Sequence, residues 1–264
     1  MSTSPPTVLA GILRSTRETL VERKRAIPPG ELRERIGAAP PPRGFRAALQ
    51  KPDIAVIAEF KRGSPSAGVL REGAEPPEIV SAYARAGARA LSILTEEEHF
   101  AGSLADLSAA RESCELPILR KDFVLDEYQL LEARVAGADA VLLIVAALGD
   151  RELAALHGTA RELGLDVLVE VHDADELARA LRLGAELIGV NNRDLRDFSV
   201  DVRRTHQLLE AIPDAVTVVS ESGIASPNQL RELARERVQA VLVGEFLMRA
   251  KEPEQALRML LDGV

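Results

Sequence analysis

The sequence predicts an α/β fold, a (β/α)8 or TIM barrel with an N-terminal helical extension. Three observations favour this fold. Eight short apolar stretches recur from residue 54 onward, helical segments separate them, and several of these helices end in glycine just before the next stretch. The stretches begin roughly 20 to 36 residues apart, near the ~30 residues of a βα unit. Eight such units in a chain of 264 residues fit one barrel.

Each apolar stretch has the length and the boundaries of a buried strand. The runs are short, and turn residues or charges follow them, which is typical of strands covered on both faces. The predicted strands cover residues 54–61, 90–95, 117–123, 140–145, 166–171, 187–192, 217–222 and 240–246.

Helical patterns fill the intervals between the strands. The predicted helices include residues 76–86, 127–136, 150–163, 174–183 and 227–236. Four of them are followed by a glycine, at the position where a left-handed residue commonly ends a helix: Gly87, Gly137, Gly164 and Gly184. The alternative fold is a doubly wound open sheet, which usually has fewer strands. No Gly-x-Gly-x-x-Gly turn follows the first strand here.

The first 50 residues differ in kind from the repeating part. Apolar residues at helical spacing predict a helix over residues 8–24, and a second short helix is expected over residues 31–37. Prolines and glycine separate the two helices. We therefore divide the chain into an extension, residues 1–50, and a barrel catalytic domain, residues 51–264.

Composition excludes several classes of function. The net charge of −8 argues against a general nucleic-acid binder, and a single cysteine excludes an internal disulfide. The polar first residues do not resemble a signal peptide, and no apolar run approaches the ~20 residues of a membrane span. We expect a soluble, cytoplasmic protein with no nucleic-acid or membrane partner.

The four histidines show no metal-ligand spacing, so no metal site is predicted. His172 is interpreted as the end of a strand, followed by Asp173 as the N-cap of the next helix. Residues 96–98, three consecutive glutamates, are interpreted as a solvated loop.

Ionisable and polar residues collect where the predicted strands end. Barrel enzymes place their chemistry at the carboxyl ends of the strands, and side-chain alternation puts Glu59 and Lys61 on one face of the first strand. A structural salt bridge could explain that pair alone. Six of the eight strands end this way, which packing explains poorly. The residues concerned are Glu59, Lys61, Lys121, Glu170, Asn191, Glu221, Ser222 and Glu245.

The residue types indicate acid–base chemistry on an anionic ligand. Two lysines beside three glutamates can shift one another's pKa values, so that acid and base steps run at one pH. Barrels commonly bind phosphate after strands 7 and 8, where small residues leave backbone N–H groups free. Ser64, Ser222, Gly223 and Gly244 suit that use, so an anionic sugar phosphate is the predicted ligand.

Six motifs together resemble the indole-3-glycerol phosphate synthase family of tryptophan biosynthesis. They are IAEFKRGSPS at 57–66, LTEEEHFAGS at 94–103, LRKDF at 119–123, LVEVH at 168–172, IGVNNRDL at 188–195 and SESGI at 220–224. The resemblance runs from the N-terminal helices to Met248. It implies a (β/α)8 barrel with a helical extension, no cofactor and no metal.

The resemblance also implies a substrate, 1-(2-carboxyphenylamino)-1-deoxyribulose 5-phosphate, which is cyclised, decarboxylated and dehydrated. Lys121 matches the general acid of ring closure. Lys61, Glu59 and Glu170 are the candidates for a second acid–base pair, with the division of roles left open. The residues that match orienting groups are Asn191, Glu221 and Ser222.

The same resemblance implies the binding residues. Arg193 is expected near the substrate carboxylate, alongside Lys61. The phosphate is expected against Ser64, Gly223, Gly244 and the backbone N–H of Glu245. The apolar wall for the anthranilate ring corresponds to Phe100, Phe123, Leu142 and Leu195.

Two other classes of function are alternatives for such a barrel: another phosphate-binding enzyme and a non-catalytic scaffold. A phosphoribosyl isomerase needs only one acid–base pair, and a pentose-phosphate epimerase would want metal ligands, so the charged set exceeds both. A non-catalytic scaffold barrel would have lost an ionisable residue of the rim, and none is missing. The sequence leaves the choice between a monomer and a homodimer open.

Overall fold

Eight parallel strands form a closed barrel in the computed structural model, which describes residues 8–50, 52–194 and 199–263. Each strand pairs in parallel with the next along the chain, and the last pairs with the first. The barrel prediction is confirmed, and the open-sheet alternative is wrong. The strands are β1 Ala55–Phe60, β2 Ala90–Leu94, β3 Ile118–Lys121, β4 Ala140–Ile144, β5 Asp166–Val171, β6 Leu187–Asn191, β7 Thr217–Glu221 and β8 Ala240–Val243.

Several strands end one to three residues before the predicted position, because the chain turns into the loops of the carboxyl rim. After β1, residues Gly63–Ser64 and Gly68–Val69 form a short antiparallel hairpin instead of continuing into the next helix. After β8, Glu245 already belongs to a helix. The residues singled out at strand ends therefore lie at the last two strand positions or in the first turn beyond them.

Helices lie between the strands and at both ends of the chain. The four glycines predicted to end helices all have positive φ, which confirms that part of the pattern. The helices are α1 Val8–Ala26, α2 Pro29–Ile36, α3 Phe45–Leu49, α4 Pro76–Ala86, α5 Leu104–Ser113, α6 Glu127–Ala136, α7 Asp150–Glu162, α8 Ala174–Leu183, α9 Arg203–Leu209, α10 Pro227–Arg235, α11 Glu245–Arg249 and α12 Pro253–Leu260, with a 3-10 turn at Val145–Ala147. None of the described helices is long and apolar enough to span a membrane.

The helix α1 packs on the barrel through α6. Leu20 is buried in a cluster with Tyr128, whose hydroxyl donates to the carbonyl oxygens of Arg23 and Ile27 at 2.9 and 3.0 Å. The Arg23 guanidinium lies 2.9 Å from the Glu132 carboxylate. The predicted division of the chain at residue 50 stays a prediction.

Helix α3 closes the amino-terminal end of the barrel. Phe45 and Leu49 are fully buried in the cluster that fills the barrel interior. The backbone N–H of Arg46 donates to Asp166 at the start of β5, at 2.8 Å, and Gln50 donates to Thr217 at the start of β7, at 3.1 Å. With this end filled, the carboxyl end is left for a ligand.

Candidate active site

A cavity opens at the carboxyl end of the barrel. All six residues predicted as catalytic line it: Lys121, Glu59, Lys61, Glu170, Asn191 and Glu221. Ser64, Phe100, Phe123, Leu142, Arg193 and Ser222 of the predicted binding set line the same cavity. Gly223, Gly244 and Glu245 line a second cavity beside it, which shares Glu59, Lys61, Arg193 and Ser222. Leu195 lies outside the described residues.

Glu59 and Lys61 form an ion pair at the end of β1. The Lys61 Nζ lies 2.6 Å from Glu59 Oε1, and the hydroxyl of Ser92 on β2 donates to Glu59 Oε2 at 3.2 Å. Glu59 is 3% exposed. The prediction that the two side chains share a face is therefore confirmed, and the pair is held at the edge of both cavities.

Lys121, at the end of β3, lies between two buried carboxylates. Its Nζ is 3.2 Å from Glu170 Oε2 and 3.6 Å from Glu221 Oε2. Burial favours the neutral amine, but the charges of Glu170, Glu221 and Glu59 outweigh it and raise the pKa of Lys121. Lys121 is therefore an ammonium in the free protein.

The two carboxylates beside Lys121 differ in their surroundings. Burial would raise the pKa of Glu170, but Lys121, His172 and Asn191 stabilise its anion and hold its pKa well below the usual range. Burial and the nearby Glu170 carboxylate raise the pKa of Glu221 to about 8. Their surroundings thus shift the two pKa values in opposite directions, the kind of split that lets one site act as acid and as base.

Two glycines make room for these carboxylates. A Cβ on Gly189 of β6 would overlap the carboxylate of Glu221, and a Cβ on Gly244 would overlap that of Glu59. The sequence-based reason for Gly244, space for a phosphate, is therefore incomplete, because the glycine first of all accommodates the Glu59 side chain.

Asn191 links the ends of β6 and β7. Its Oδ1 accepts the Ser222 hydroxyl at 2.9 Å and the backbone N–H of Arg193 at 3.0 Å. Ser222 has a φ of 66°, a left-handed backbone conformation that residues other than glycine rarely adopt. These contacts fix the two loops that follow the strands, where an orienting role was predicted.

Arg193 bridges the hairpin after β1 and the helix after β8. Its Nη1 donates to the Ser66 hydroxyl at 3.2 Å, and its Nη2 lies 3.4 Å from Glu245 Oε2. Ser64 accepts the backbone N–H of Ala67 within the same hairpin, at 3.2 Å. The guanidinium thus stands at the boundary between the two cavities.

One wall of the first cavity is apolar. The rings of Phe100 and Phe123 lie 6.2 Å apart at 42°. Leu142 belongs to this wall as predicted, and Leu94, Ile144 and Leu242, which the sequence did not indicate, line it as well. A flat aromatic group is the type of ligand that such a wall accommodates.

The interpretation of residues 96–98 as a solvated loop is wrong for the first of the three glutamates. Glu96 is 8% exposed, and its Oε2 accepts the backbone N–H groups of His99 and Phe100 at 2.7 and 3.0 Å. A carboxylate that caps a turn in this way fixes Phe100 at the cavity wall. Glu97 and Glu98 are exposed, as expected.

A fully buried arginine supports the strand that carries Lys121. Arg120 points away from the cavity and donates to Asp122 at 2.8 Å, to Thr95 at 3.0 Å and to the carbonyl of Gln129 at 2.5 Å. Because residues alternate faces along a strand, this anchoring of Arg120 on the outer side holds Lys121 on the inner side.

Two further charged residues at the site were not predicted as functional. Arg249 of α11 lines the second cavity, and its Nε lies 3.1 Å from Glu245. His172 lies behind Glu170. The LVEVH motif contains His172, and its partner Glu176 lies four residues further on, in the first turn of α8. Among the described residues, no group of three or more His, Cys, Asp or Glu side chains could hold a metal ion.

Fold and site together define a (β/α)8-barrel enzyme with acid–base groups at the carboxyl rim. A family profile described as indole-3-glycerol phosphate synthase matches residues 9–260. The indole-3-glycerol phosphate synthase of Acidithiobacillus ferrooxidans is 51% identical over 257 residues, 96% of this chain and 98% of its own. Indole-3-glycerol phosphate synthase 2 of Streptomyces coelicolor is 49% identical over 255 residues, with the same coverage. The chain belongs to the indole-3-glycerol phosphate synthase family, which confirms the resemblance.

Solved structures of other proteins share the fold. The 3-hexulose-6-phosphate synthase of Salmonella typhimurium has a TM-score of 0.64 at 14% identity, over 78% of this chain and 96% of its own. The thiamine phosphate pyrophosphorylase of Pyrococcus furiosus has a TM-score of 0.59 at 17% identity, over 80% of this chain and 95% of its own. At such low identity these likenesses show the barrel and nothing of the reaction.

Proposed function

We propose that the first cavity binds 1-(2-carboxyphenylamino)-1-deoxyribulose 5-phosphate and that its charged residues convert it to indole-3-glycerol phosphate. The activity, a carboxy-lyase step of tryptophan biosynthesis, follows from the family membership and the relatives. The roles of the residues are the proposal. The observation that carries them is the position of Lys121, between two buried carboxylates and opposite an aromatic wall.

Ring closure requires an acid at the ketone. A carbon of the arene attacks the carbonyl carbon, and the carbonyl oxygen becomes an alkoxide that takes a proton. Lys121 is the donor in this proposal, because its raised pKa keeps it protonated. Glu170, 3.2 Å from its Nζ, stabilises the ammonium before the transfer and orients it toward the cavity.

Decarboxylation follows at the same ring carbon. The bond to the carboxylate breaks, CO2 leaves, and its electron pair restores the aromatic ring. Lys61 and Arg193 would hold the carboxylate before this step, and Phe100, Phe123 and Leu142 would enclose the ring. Leu195, assigned to the same wall from the sequence, stays a prediction.

Dehydration needs an acid for the departing hydroxyl and a base for the N–H proton, and a proton of the neighbouring ring CH2 group then moves to the nitrogen to complete the indole. The Glu59–Lys61 pair, 2.6 Å apart, supplies one group of each kind at the cavity edge. Lys61 is the proposed acid, and Glu59 or Glu170 the proposed base. Asn191, Glu221 and Ser222 are assigned orienting roles around the sugar hydroxyls.

The phosphate is assigned to the second cavity. Gly223, Gly244 and Glu245 would offer backbone N–H groups, and Ser64 a hydroxyl, as inferred from the sequence. The structure adds Arg249 to this set of candidates. We further expect the protein to act in the cytoplasm as a monomer or homodimer on this small molecule, with no nucleic-acid partner.

Indole fluorescence tests the proposal directly. The purified chain should convert the carboxyphenylamino substrate to a fluorescent indole product, and Glu59→Gln should reduce kcat by ~100-fold or more, the scale of an acid–base contribution. The exposed Glu97 provides a matched Glu97→Gln control with unchanged kcat. No product from the wild-type chain would refute the activity, and a wild-type kcat for Glu59→Gln would remove Glu59 from the chemistry.

A further inference from the structure

His172 is a largely buried imidazole next to the reacting groups, and none of the roles above uses it. It is the first residue after β5, and its side chain is 11% exposed. Alternation along the strand puts it on the same side as Glu170.

Both ring nitrogens of His172 face carboxylates. Nδ1 lies 3.0 Å from Glu176 Oε2 of α8, an oxygen that also accepts the backbone N–H of His172 at 2.8 Å. Nε2 lies 3.3 Å from Glu170 Oε1. Nε2 has no aligned hydrogen-bond acceptor among the described residues, so its contact with Glu170 is an ion pair rather than a directed hydrogen bond.

This arrangement favours an imidazolium. A neutral imidazole carries a single N–H, and its second nitrogen would present a lone pair to a carboxylate. Burial opposes the charge, but the close carboxylates of Glu170 and Glu176 overcome it and raise the pKa of His172 to about 10. The other charged groups nearby, Lys121 and Glu221, lie beyond Glu170.

The two carboxylates of the cavity are consequently unequal. Glu170 is contacted by Lys121 on one oxygen and by His172 on the other. Glu221 has Lys121 at 3.6 Å, and neither of its oxygens accepts a hydrogen bond from the described residues. Close carboxylates resist joint ionisation, so whichever has more cationic contacts keeps the negative charge.

We propose that His172 is a positioning residue that keeps Glu170 ionised and aimed at Lys121, so that the proton shared by the two glutamates resides on Glu221. Glu176 holds the imidazole in place through its contact with the other ring nitrogen, Nδ1. The inference rests on the proposed function, in which Glu170 acts as an anion beside Lys121.

The pH dependence of kcat tests this proposal. In His172→Gln, Glu170 loses one cation and competes with Glu221 for the shared proton, so kcat near neutral pH should fall ~10-fold, the equivalent of one pKa unit, and the acid limb of the kcat profile should move to higher pH. KM should change less than kcat. His206, which pairs with Glu236 at 2.7 Å on the surface, gives the matched control: His206→Gln should leave the profile unchanged.

A second variant, Glu176→Gln, tests the proposal independently if His172→Gln folds poorly. Glu176→Gln leaves the imidazole in place and removes its rear carboxylate, so the acid limb should move in the same direction by a smaller amount. Nitrogen-15 NMR of the wild-type chain should show His172 as an imidazolium at pH 7. A neutral His172 at pH 7, or acid limbs in both variants that coincide with the wild type, would overturn the proposal.

Glu170→Gln separates failure of this inference from failure of the proposed function. Loss of kcat in Glu170→Gln, combined with unmoved profiles in the histidine and Glu176 variants, would refute only the role of His172. Wild-type kcat in Glu170→Gln would refute the role of Glu170 and the inference with it.

Discussion

The ammonium of Lys121 lies 3.6 Å from Glu221 Oε2, yet neither oxygen of Glu221 accepts a hydrogen bond from the residues that the structure describes. A buried polar group without a partner costs roughly 1–3 kcal/mol. The Glu221 side chain is 1% exposed and lines the cavity. It is therefore held, at the expense of stability, in a position where a substrate hydroxyl could bind it.

Glu221→Gln should change how stability depends on pH. The folded chain keeps a proton on Glu221 up to about pH 8, whereas the unfolded chain releases it near the ordinary value of 4.5. The folded state thus binds more protons in this window, so the Glu221 contribution to stability falls as pH rises through it. Glutamine does not titrate and escapes that loss.

The measurement is the melting temperature of both proteins between pH 5 and 9. The melting temperature of the variant should rise by several degrees relative to that of the wild type as pH increases to about 8. One pKa unit is worth about 1.4 kcal/mol of stability, and each kcal/mol changes the melting temperature by about 2–4 °C. Glu97→Gln, at an exposed position, should show no such trend. A difference between Glu221→Gln and wild type that is constant with pH would contradict the protonated Glu221.

Gly189→Ala should damage the site through Glu221. The added Cβ would overlap the Glu221 carboxylate and also approach Leu168, so the glutamate must move or the strands must separate. We expect a loss of ~1–3 kcal/mol in stability, typical of overpacking, and a fall in kcat of ~10-fold or more. Gly158 in α7 has no atom within 4 Å of such a Cβ, so Gly158→Ala should stabilise the helix slightly. Equal kcat in both variants would show that Glu221 does not need its present position.

Arg249→Gln should weaken phosphate binding without slowing the chemistry. Arg249 lines the second cavity, so the variant should raise KM by roughly 10-fold, about 1.4 kcal/mol, at unchanged kcat. Inorganic phosphate should also inhibit it less than the wild type. Arg258→Gln is the matched control. The Arg258 guanidinium lies 3.0 Å from the carboxylate of Glu254, four residues away, just as the Arg249 guanidinium lies 3.1 Å from that of Glu245. If Arg258→Gln had the same effect, the phosphate would not be bound by Arg249.

Leu20→Ala should destabilise the whole protein. Leu20 of α1 is 5% exposed and packs in a cluster with Leu32, Tyr128 and Leu131. Removal of a buried leucine side chain costs about 2–5 kcal/mol. The free energy of unfolding, measured from a single urea transition, should fall by that amount. The neighbouring Val21 is 50% exposed, so Val21→Ala should have little effect. A barrel transition unmoved by Leu20→Ala would show that the extension unfolds separately from residues 51–264.

Much of the fold is predictable from the sequence because it depends on local patterns. Apolar runs at regular spacing and glycines after helices identified all eight strands. Helix α3 was missed because five residues carry no helical period; its role comes from Phe45 and Leu49, which fill the barrel end only after the strands have closed.

The charged rim was likewise predictable, because parallel strands bring their carboxyl ends together. The protonation state of each group was not predictable from the sequence. Glu59, Glu170 and Glu221 are the same residue type at equivalent strand ends, and only their neighbours distinguish them. Those neighbours come from other elements: Ser92 of β2 donates to Glu59, and Lys121 of β3 contacts Glu170 and Glu221.

Lys121→Ala tests the central claim, that Lys121 supplies the proton of ring closure. The experiment measures kcat by indole fluorescence and substrate affinity by equilibrium titration, with Lys251→Ala, at an exposed lysine, as the control. We expect kcat to fall by ~10²–10⁴-fold, because proton donation stabilises the transition state far more than the ground state, while the dissociation constant changes less than ~10-fold. A Lys121→Ala variant that retains near wild-type kcat would contradict the claim.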